Sequence, residues 1–316
     1  MSFMIAGTGS YLPEKIVTNE DFEKIVDTSD EWIVQRTGIK TRHFIGEGQA
    51  SVDMCLAAAK DAMRMAGVTK DEIGGIIVGT CTSETACPSL AGSLQRALEI
   101  DRCVSFDVSA ACSGFLFALK TAERFMTESD QCFLVLGSEV LSRFLNMEDR
   151  ATCVLFGDGA GAVVLKPGSN VKYFKVFTMP DSHYTLNIEG SNIEKDGNLV
   201  HAAVSMKGRE VYAFATKEFD RVIREGLAAS GITAEQVDLF VLHQANLRII
   251  EAAAKRLRIP MEKVITNIQE NGNISAACIP VALDQANREG RLKKGNIVVL
   301  AAVGGGLSSG CAVLEW

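Results

Sequence analysis

The sequence predicts an α/β fold assembled from two similar halves. Short runs that are apolar at every position alternate with segments of helical periodicity, and the alternation repeats along the chain. Runs apolar throughout suit strands buried on both faces, and strand–helix alternation implies largely parallel sheets.

The first clear helix is Ser51 to Ala66. Val52, Cys55, Leu56, Ala59 and Met63 fall at helical spacing, with Ser51 as the expected N-cap and Gly67 as the stop. Gly75-Ile76-Ile77-Val78 then reads as a strand, and Leu239-Phe240-Val241-Leu242 recurs 164 positions later. Cys132-Phe133-Leu134-Val135-Leu136 matches Asn296-Ile297-Val298-Val299-Leu300 at the same offset, and Gly161 to Leu165 echoes Gly310 to Leu314. Ser109-Ala110-Ala111-Cys112 aligns with Ser275-Ala276-Ala277-Cys278 at an offset of 166, which puts Cys278 at the place equivalent to Cys112. Val211 to Ala229 and Leu247 to Leu257 complete the helical set. The expected halves are 1–170 and 171–316.

Composition narrows the function classes. The 316 residues are 47% hydrophobic and carry a net charge of -7, which disfavours a phosphate-backbone partner. The nine cysteines include no C-x-x-C pair and no zinc spacing. No basic, apolar leader and no run of ~20 apolar residues stands out. These features predict a cytoplasmic protein with reduced thiols, off the membrane.

Three residues stand out chemically. Cys112 precedes the helical pattern Phe115, Leu116, Leu119, Ala122, Phe125, where a helix N-terminus would favour thiolate; the competing reading is a small buried hydrophobe. His243 ends an apolar run at a strand's carboxyl end, where α/β sheets collect ligands. His43, His183 and His201 read as surface residues. Asn271-Gly272-Asn273 is first of all a turn signal. Gly304-Gly305-Gly306 permits close backbone approach or a tight bend, and Gly157-Asp158-Gly159-Ala160-Gly161 reads as a turn before a strand.

Together these pieces resemble the β-ketoacyl-acyl-carrier-protein synthase III family. The resemblance runs through Gly7 to Pro13, Asp30 to Ile39, the Cys112 segment, Phe156 to Ala162, His243-Gln244-Ala245-Asn246, Gly272-Asn273 and the triple glycine. It implies a duplicated thiolase-like α/β fold, layered αβαβα, with two mixed, mostly parallel sheets. It implies that Cys112 takes an acyl group from acyl-CoA, with the backbone N–H groups of Cys112 and Gly305 holding the oxyanion. His243 and Asn273 would then donate hydrogen bonds to the enolate formed when malonyl-acyl carrier protein loses carbon dioxide. No metal or redox cofactor is implied, and acyl-CoA is a substrate. Trp32 and Arg150 would sandwich the CoA adenine, Arg36 and Thr37 touch the nucleotide, and Gly208 and Asn246 the pantetheine arm. The acyl pocket would include Cys87, Leu141, Phe156 and Val303. Arg248, Lys255 and Arg256 would dock the acidic carrier protein, and the family implies a homodimer.

Two departures bear on specificity. Cys87 stands where relatives often carry an aromatic that crosses to cap the partner's acyl pocket, and Val303 and Leu307 flank the triple glycine where aromatics are frequent. Smaller groups predict a primer longer or bulkier than acetyl. The alternative functions are a related acyl-CoA-dependent condensing enzyme or acyltransferase of secondary metabolism, a cysteine hydrolase with Cys112, His243 and Asn273 as its triad, and a silent interaction protein. A degradative thiolase is disfavoured because Ala301-Ala302-Val303 precede Gly304 without a second cysteine.

Overall fold

The structure is a computed structural model that describes residues 2–128, 130–188, 193–195, 198–200 and 202–316; His201 lies outside the described residues. Two mixed sheets form its frame. The first contains β1 (Ser2–Tyr11), β4 (Ile73–Gly79), β5 (Val104–Val108), β6 (Cys132–Val140) and β7 (Asp158–Gly168), in the order β1-β7-β6-β4-β5. The second contains β8 (Val171–Thr178), β13 (Leu239–Leu242), β14 (Ile297–Gly304) and β15 (Ser308–Glu315), in the order β13-β14-β15-β8. The β2 (Lys15–Thr18)–β3 (Thr41–Phe44) hairpin and the short strands β9 (Leu186–Ile188), β10 (Ile193–Lys195), β11 (Asn198–Val200) and β12 (Val204–Met206) lie outside these sheets.

The helices are α1 (Asn19–Glu23), α2 (Asp30–Thr37), α3 (Ser51–Ala66), α4 (Leu90–Ala97), α5 (Gly114–Phe125), α6 (Gly208–Ser230), α7 (Leu247–Leu257), α8 (Ile268–Asn271) and α9 (Cys278–Arg288). Strand alternation explains the layers. Along β6, Phe133 and Val135 face a middle layer with Leu116 and Leu119 of α5 and Leu283 of α9, while Leu134 and Leu136 face α3 and α4. Along β14, Val298, Leu300 and Ala302 face the same middle layer, and Val299, Ala301 and Val303 face α6 and α7. Both faces of each sheet are therefore covered, giving the order α3/α4, sheet, α5/α9, sheet, α6/α7.

The sheets are less parallel than strand–helix alternation suggests. Pairs β4–β5, β4–β6 and β13–β14 are parallel, whereas β1–β7, β6–β7, β14–β15 and β8–β15 are antiparallel. The closing strands β7 and β15 return without a crossover helix, so they enter antiparallel. Helix α3 is capped differently from expectation. Ala50 is the N-cap, its N–H donating to the Asp53 carboxylate, and the Ser51 hydroxyl donates instead to Glu84. Asp158 to Gly161 belongs to β7 rather than to a turn, and Gly161 has no Cβ because one would lie 2.7 Å from Val281 N.

Structure also corrects the repeat register. A 3-10 turn at Ala111–Ser113 leads into α5, and one at Ser275–Ala277 leads into α9. Ala111 (φ 45) and Ser275 (φ 48) share the left-handed conformation, 164 positions apart. Cys112 therefore corresponds to Ala276, and Cys278 to Gly114. The Ser-Ala-Ala-Cys match is a slip of two residues from the true register.

Candidate active site

Cys112 is brought to the centre of the molecule by the turn between β5 and α5, and His243 by the end of β13. Asn273 follows Gly272, whose φ of 64 turns the chain out of α8. The Asn273 backbone is clamped to 155–157: its N–H donates to Leu155 O, and Gly157 N–H donates to its carbonyl. Asn273 Oδ1 accepts from Ser275 N–H at 2.9 Å, which leaves the Nδ2 donors as the free end of the amide. Gly304 ends β14 against the nucleophile; a Cβ there would lie 2.9 Å from Cys112 N, so close approach requires glycine. Gly306 makes the following bend with φ 97.

Two cavities meet at these residues. An inner cavity of about 580 Å³ is lined by Phe117, Leu141, Phe144, Phe156, Ile188 and Val204, among others. An outer one of about 360 Å³ is lined by Trp32, Arg36, Met206, Tyr212, Phe214, His243, Asn246 and Asn273. Cys112, Phe156, Leu186 and Gly305 line both. Leu141 and Phe156 line the inner cavity. Val303 lines the outer one, because strand alternation turns it toward α6 and α7. Cys87 is exposed and lines neither.

The electrostatics differ from the helix-terminus expectation. Burial pushes the Cys112 thiol up to about 11, against the lowering effect of a hydrogen bond from Ser275. The α-helix starts only at Gly114, two residues beyond the thiol, and desolvation is the largest influence on it. Burial also pushes His243 down to about 3, so its imidazole is neutral at pH 7. Its Nδ1 is buried without a hydrogen-bond partner.

Of the remaining expected residues, Trp32, Arg36, Thr37, Gly208, Asn246 and Arg248 line the outer cavity, and Arg150, Lys255 and Arg256 do not. The Arg36 and Arg150 guanidinium carbons each lie 5.0 Å from the Trp32 ring centroid. Arg150 therefore contacts Trp32 directly, and an adenine between them requires Arg150 to swing outward. The Thr37 hydroxyl donates to Ile33 O and accepts from Ile39 N–H, so it is already committed. Asn246 caps α7, accepting from Arg248 N–H and donating to Arg36 O. Gly208 opens α6 at the cavity wall. Arg248 lies at the rim over Tyr212, and Lys255 and Arg256 are exposed further along α7. His183 is exposed; His43 is half-buried, its Nδ1 2.6 Å from Pro13 O.

Sequence reasoning missed Ser275 and Glu139. Ser275 Oγ lies 3.4 Å from Cys112 Sγ and 3.2 Å from Glu139 Oε1. The signal was present: Glu139 is a lone carboxylate in the otherwise uncharged strand β6.

The family model for 3-oxoacyl-[acyl-carrier-protein] synthase III matches residues 106–181, and the model for its C-terminal part matches 227–316. The β-ketoacyl-[acyl-carrier-protein] synthase III of Xanthomonas campestris is 46% identical, with 99% of this chain and 98% of that protein covered. The chain belongs to this synthase III family. Among solved structures, 3-oxoacyl-[acyl-carrier-protein] synthase III of Aquifex aeolicus is 43% identical with a TM-score of 0.93, covering 99% of this chain and 100% of that one. The priming β-ketosynthase of the R1128 polyketide pathway is 31% identical with a TM-score of 0.93, covering 99% of this chain and 96% of that one. Family membership accounts for the duplicated thiolase-like fold and for motifs drawn from both halves of the chain.

Proposed function

We propose that this protein is a β-ketoacyl-acyl-carrier-protein synthase III that joins an acyl-CoA primer to malonyl-acyl carrier protein by decarboxylative Claisen condensation. The observation that carries this reading is the position of Cys112 at the junction of two cavities, beside two neutral hydrogen-bond donors. An acyl chain enters the inner cavity while the CoA arm occupies the outer one. The thioester carbonyl then faces Cys112, and backbone N–H groups of Cys112 and Gly305 receive the oxyanion. CoA leaves, and malonyl-carrier protein takes the outer cavity. Neutral His243 and the Asn273 amide suit the next step, since an enolate oxygen needs donors rather than a strong base. The carbanion attacks acyl-Cys112 and frees the product. These steps call on no metal or redox cofactor.

The 1–170 half carries the nucleophile, and the 171–316 half carries His243 and Asn273. Trp32, Arg36, Thr37, Arg150, Gly208 and Asn246 form the CoA site, with Thr37 and Asn246 acting through shape and helix capping more than through free polar atoms. Arg248, Lys255 and Arg256 receive the acidic carrier protein, and salt weakens that attraction. Cys87, standing where relatives often carry a capping aromatic, supports a primer longer or bulkier than acetyl. The open edge of β5, with Val104 exposed and Phe106 only partly buried, supports a homodimer closed edge to edge. Among the described residues no helix is long and apolar enough to cross a membrane, in keeping with action in the cytoplasm. Priming in secondary metabolism is the second reading, supported by likeness to the R1128 enzyme at 31% identity against 46% for the β-ketoacyl-[acyl-carrier-protein] synthase III of Xanthomonas campestris.

The test is intact mass after brief exposure to a panel of acyl-CoAs, with Cys112→Ala as control. One acyl adduct on the wild type, absent from the control and strongest for a chain longer than acetyl, is expected. An adduct that survives in Cys112→Ala overturns the assignment.

A further inference from the structure

The acylation step needs an acceptor for the thiol proton, and the groups so far described do not supply a good one. His243 is neutral, and burial pushes its imidazole down to about 3, which makes it a weak base. Cys112 has a different polar neighbour. Ser275 Oγ lies 3.4 Å from its Sγ, within sulfur hydrogen-bond range, and 3.2 Å from Glu139 Oε1; its single hydroxyl hydrogen can turn to either, and when it donates to Glu139 an oxygen lone pair is left to accept from the thiol. Ser275 is held there by its left-handed backbone and by its N–H bond to Asn273 Oδ1.

Glu139 is fully buried, yet its surroundings are built for an anion. Thr82 Oγ1 donates to Oε2 at 2.5 Å, Cys81 N–H donates to Oε2 at 3.2 Å, and Cys81 Sγ donates to Oε1 at 3.4 Å. Thr80 Oγ1 adds a longer contact to Oε2 at 3.4 Å. Thr82 is in turn fixed by accepting from Val140 N–H. A carboxyl that only filled space would not draw so many donors.

We propose that Ser275 and Glu139 form the proton path of Cys112. In acylation the Cys112 S–H bond breaks as sulfur bonds the acyl carbonyl carbon. Ser275 Oγ takes that proton while passing its own to Glu139 Oε1, and CoA leaves as thiolate, to be protonated by solvent. Glu139 stays neutral while Cys112 is acylated and uncharged. When the carbanion expels Cys112 as thiolate, the path runs backwards: Glu139 returns its proton through Ser275, and the starting state is restored. Over the cycle one solvent proton is consumed, the one that ends on CoA. Ser275 touches the reacting sulfur and is catalytic; Glu139 acts through it.

Burial raises both the Glu139 carboxyl and the Cys112 thiol, because each loses the solvent that would stabilise its charged form. The other titratable groups around Glu139 are the thiols of Cys81 after β4, Cys55 of α3 and Cys278 of α9. Burial pushes each of these up as well, so they stay protonated through neutral pH.

This inference rests on Cys112 accepting an acyl group, and the experiment separates the two. Single-turnover acylation and iodoacetamide alkylation of Cys112 are followed from pH 6 to 9 in wild type, Ser275→Ala, Glu139→Gln and the double variant. The amide can keep hydrogen bonds to Thr82 and Ser275 but cannot take a proton. With the relay, wild type shows a pH-independent plateau, and each single variant acylates about 100-fold more slowly at pH 7. Their rates then climb about tenfold per pH unit as the thiol ionises alone, and the double variant is no slower than either single one. A purely electrostatic or packing role predicts the opposite sign for Glu139→Gln, since removing a buried negative charge eases ionisation of Cys112. Acylation by Glu139→Gln at or above the wild-type rate therefore overturns the relay. Should that variant fail to fold, a wild-type rate in Ser275→Ala overturns it equally. If wild type takes no acyl group, the proposed function fails, and the alkylation profile alone decides the relay by the same plateau.

Discussion

At the residue scale, the buried imidazole of His243 makes acid sensitivity a property of the active site itself. Its folded pKa is depressed to about 3, while an unfolded chain returns it to about 6.5. Above the unfolded value both states are neutral and the contribution to stability is complete. As pH falls below it the unfolded chain takes a proton that the folded one refuses, so stability is lost progressively toward the folded value. By pH 5 the loss from this residue is about 2 kcal/mol. Glu139 has the opposite slope, since its raised carboxyl favours the folded state as pH falls through the folded value. Urea unfolding of wild type and His243→Gln at pH 7.5 and 5.0 separates the two. The variant is expected to lose about 2 kcal/mol less than wild type over that interval, and equal losses would show that His243 is protonated in the folded protein.

At the element scale, glycines decide how closely the layers approach. Gly137 of β6 sits under the turn that carries Ser275, and a Cβ there would lie 2.1 Å from Ala276 O and 2.6 Å from Ala276 C. Both atoms are backbone, so the turn must move. Gly137→Ala is expected to lower the unfolding free energy by about 2–3 kcal/mol and to slow Cys112 acylation by displacing Ser275. Gly46→Ala, where the nearest atom to the new Cβ is 3.9 Å away, serves as the control and should leave both unchanged. A normal acylation rate in a destabilised Gly137→Ala would mean that the Ser275 position is not critical. The same closeness explains why Gly157 to Gly161 misleads as a turn: Gly161 is a spacing device within a strand, and no loop needs it.

At the scale of the whole molecule, the open edge of β5 and the loop bearing Cys87 belong together. Asp107 of β5 accepts from the N–H groups of Leu90 and Ala91, which ties the start of α4, and the loop before it, to that edge. In the proposed edge-to-edge dimer, the family resemblance implies that each Cys87 meets its partner's acyl pocket. If two copies pair along β5 as proposed, Val104→Glu is expected to yield a monomer in light scattering, since it puts a charge on the exposed edge of each copy. Cys87→Phe should shift acyl preference toward acetyl in the dimer. A fully active monomeric wild type, or no shift with Cys87→Phe, would refute this account of the pocket.

Much of this protein is legible in its sequence. The buried strands, Leu247–Leu257 and the Gly67 stop follow from periodicity and glycine chemistry, which are local properties. Cys112 and His243 stand out because their flanking patterns place them at the ends of elements, whereas Asn273 by itself reads as a turn and takes a role only through the family resemblance. Tertiary structure alone decided the rest. It set the true repeat register, which depends on left-handed residues that composition does not reveal, and it turned Val303 to the outer cavity. It also reversed the expected direction of the Cys112 pKa, because desolvation depends on everything packed around a group rather than on its neighbours in sequence. The meeting of Cys112, Ser275 and Glu139 is of the same kind, since three residues from distant segments become neighbours only when the two sheets close on the layer between them.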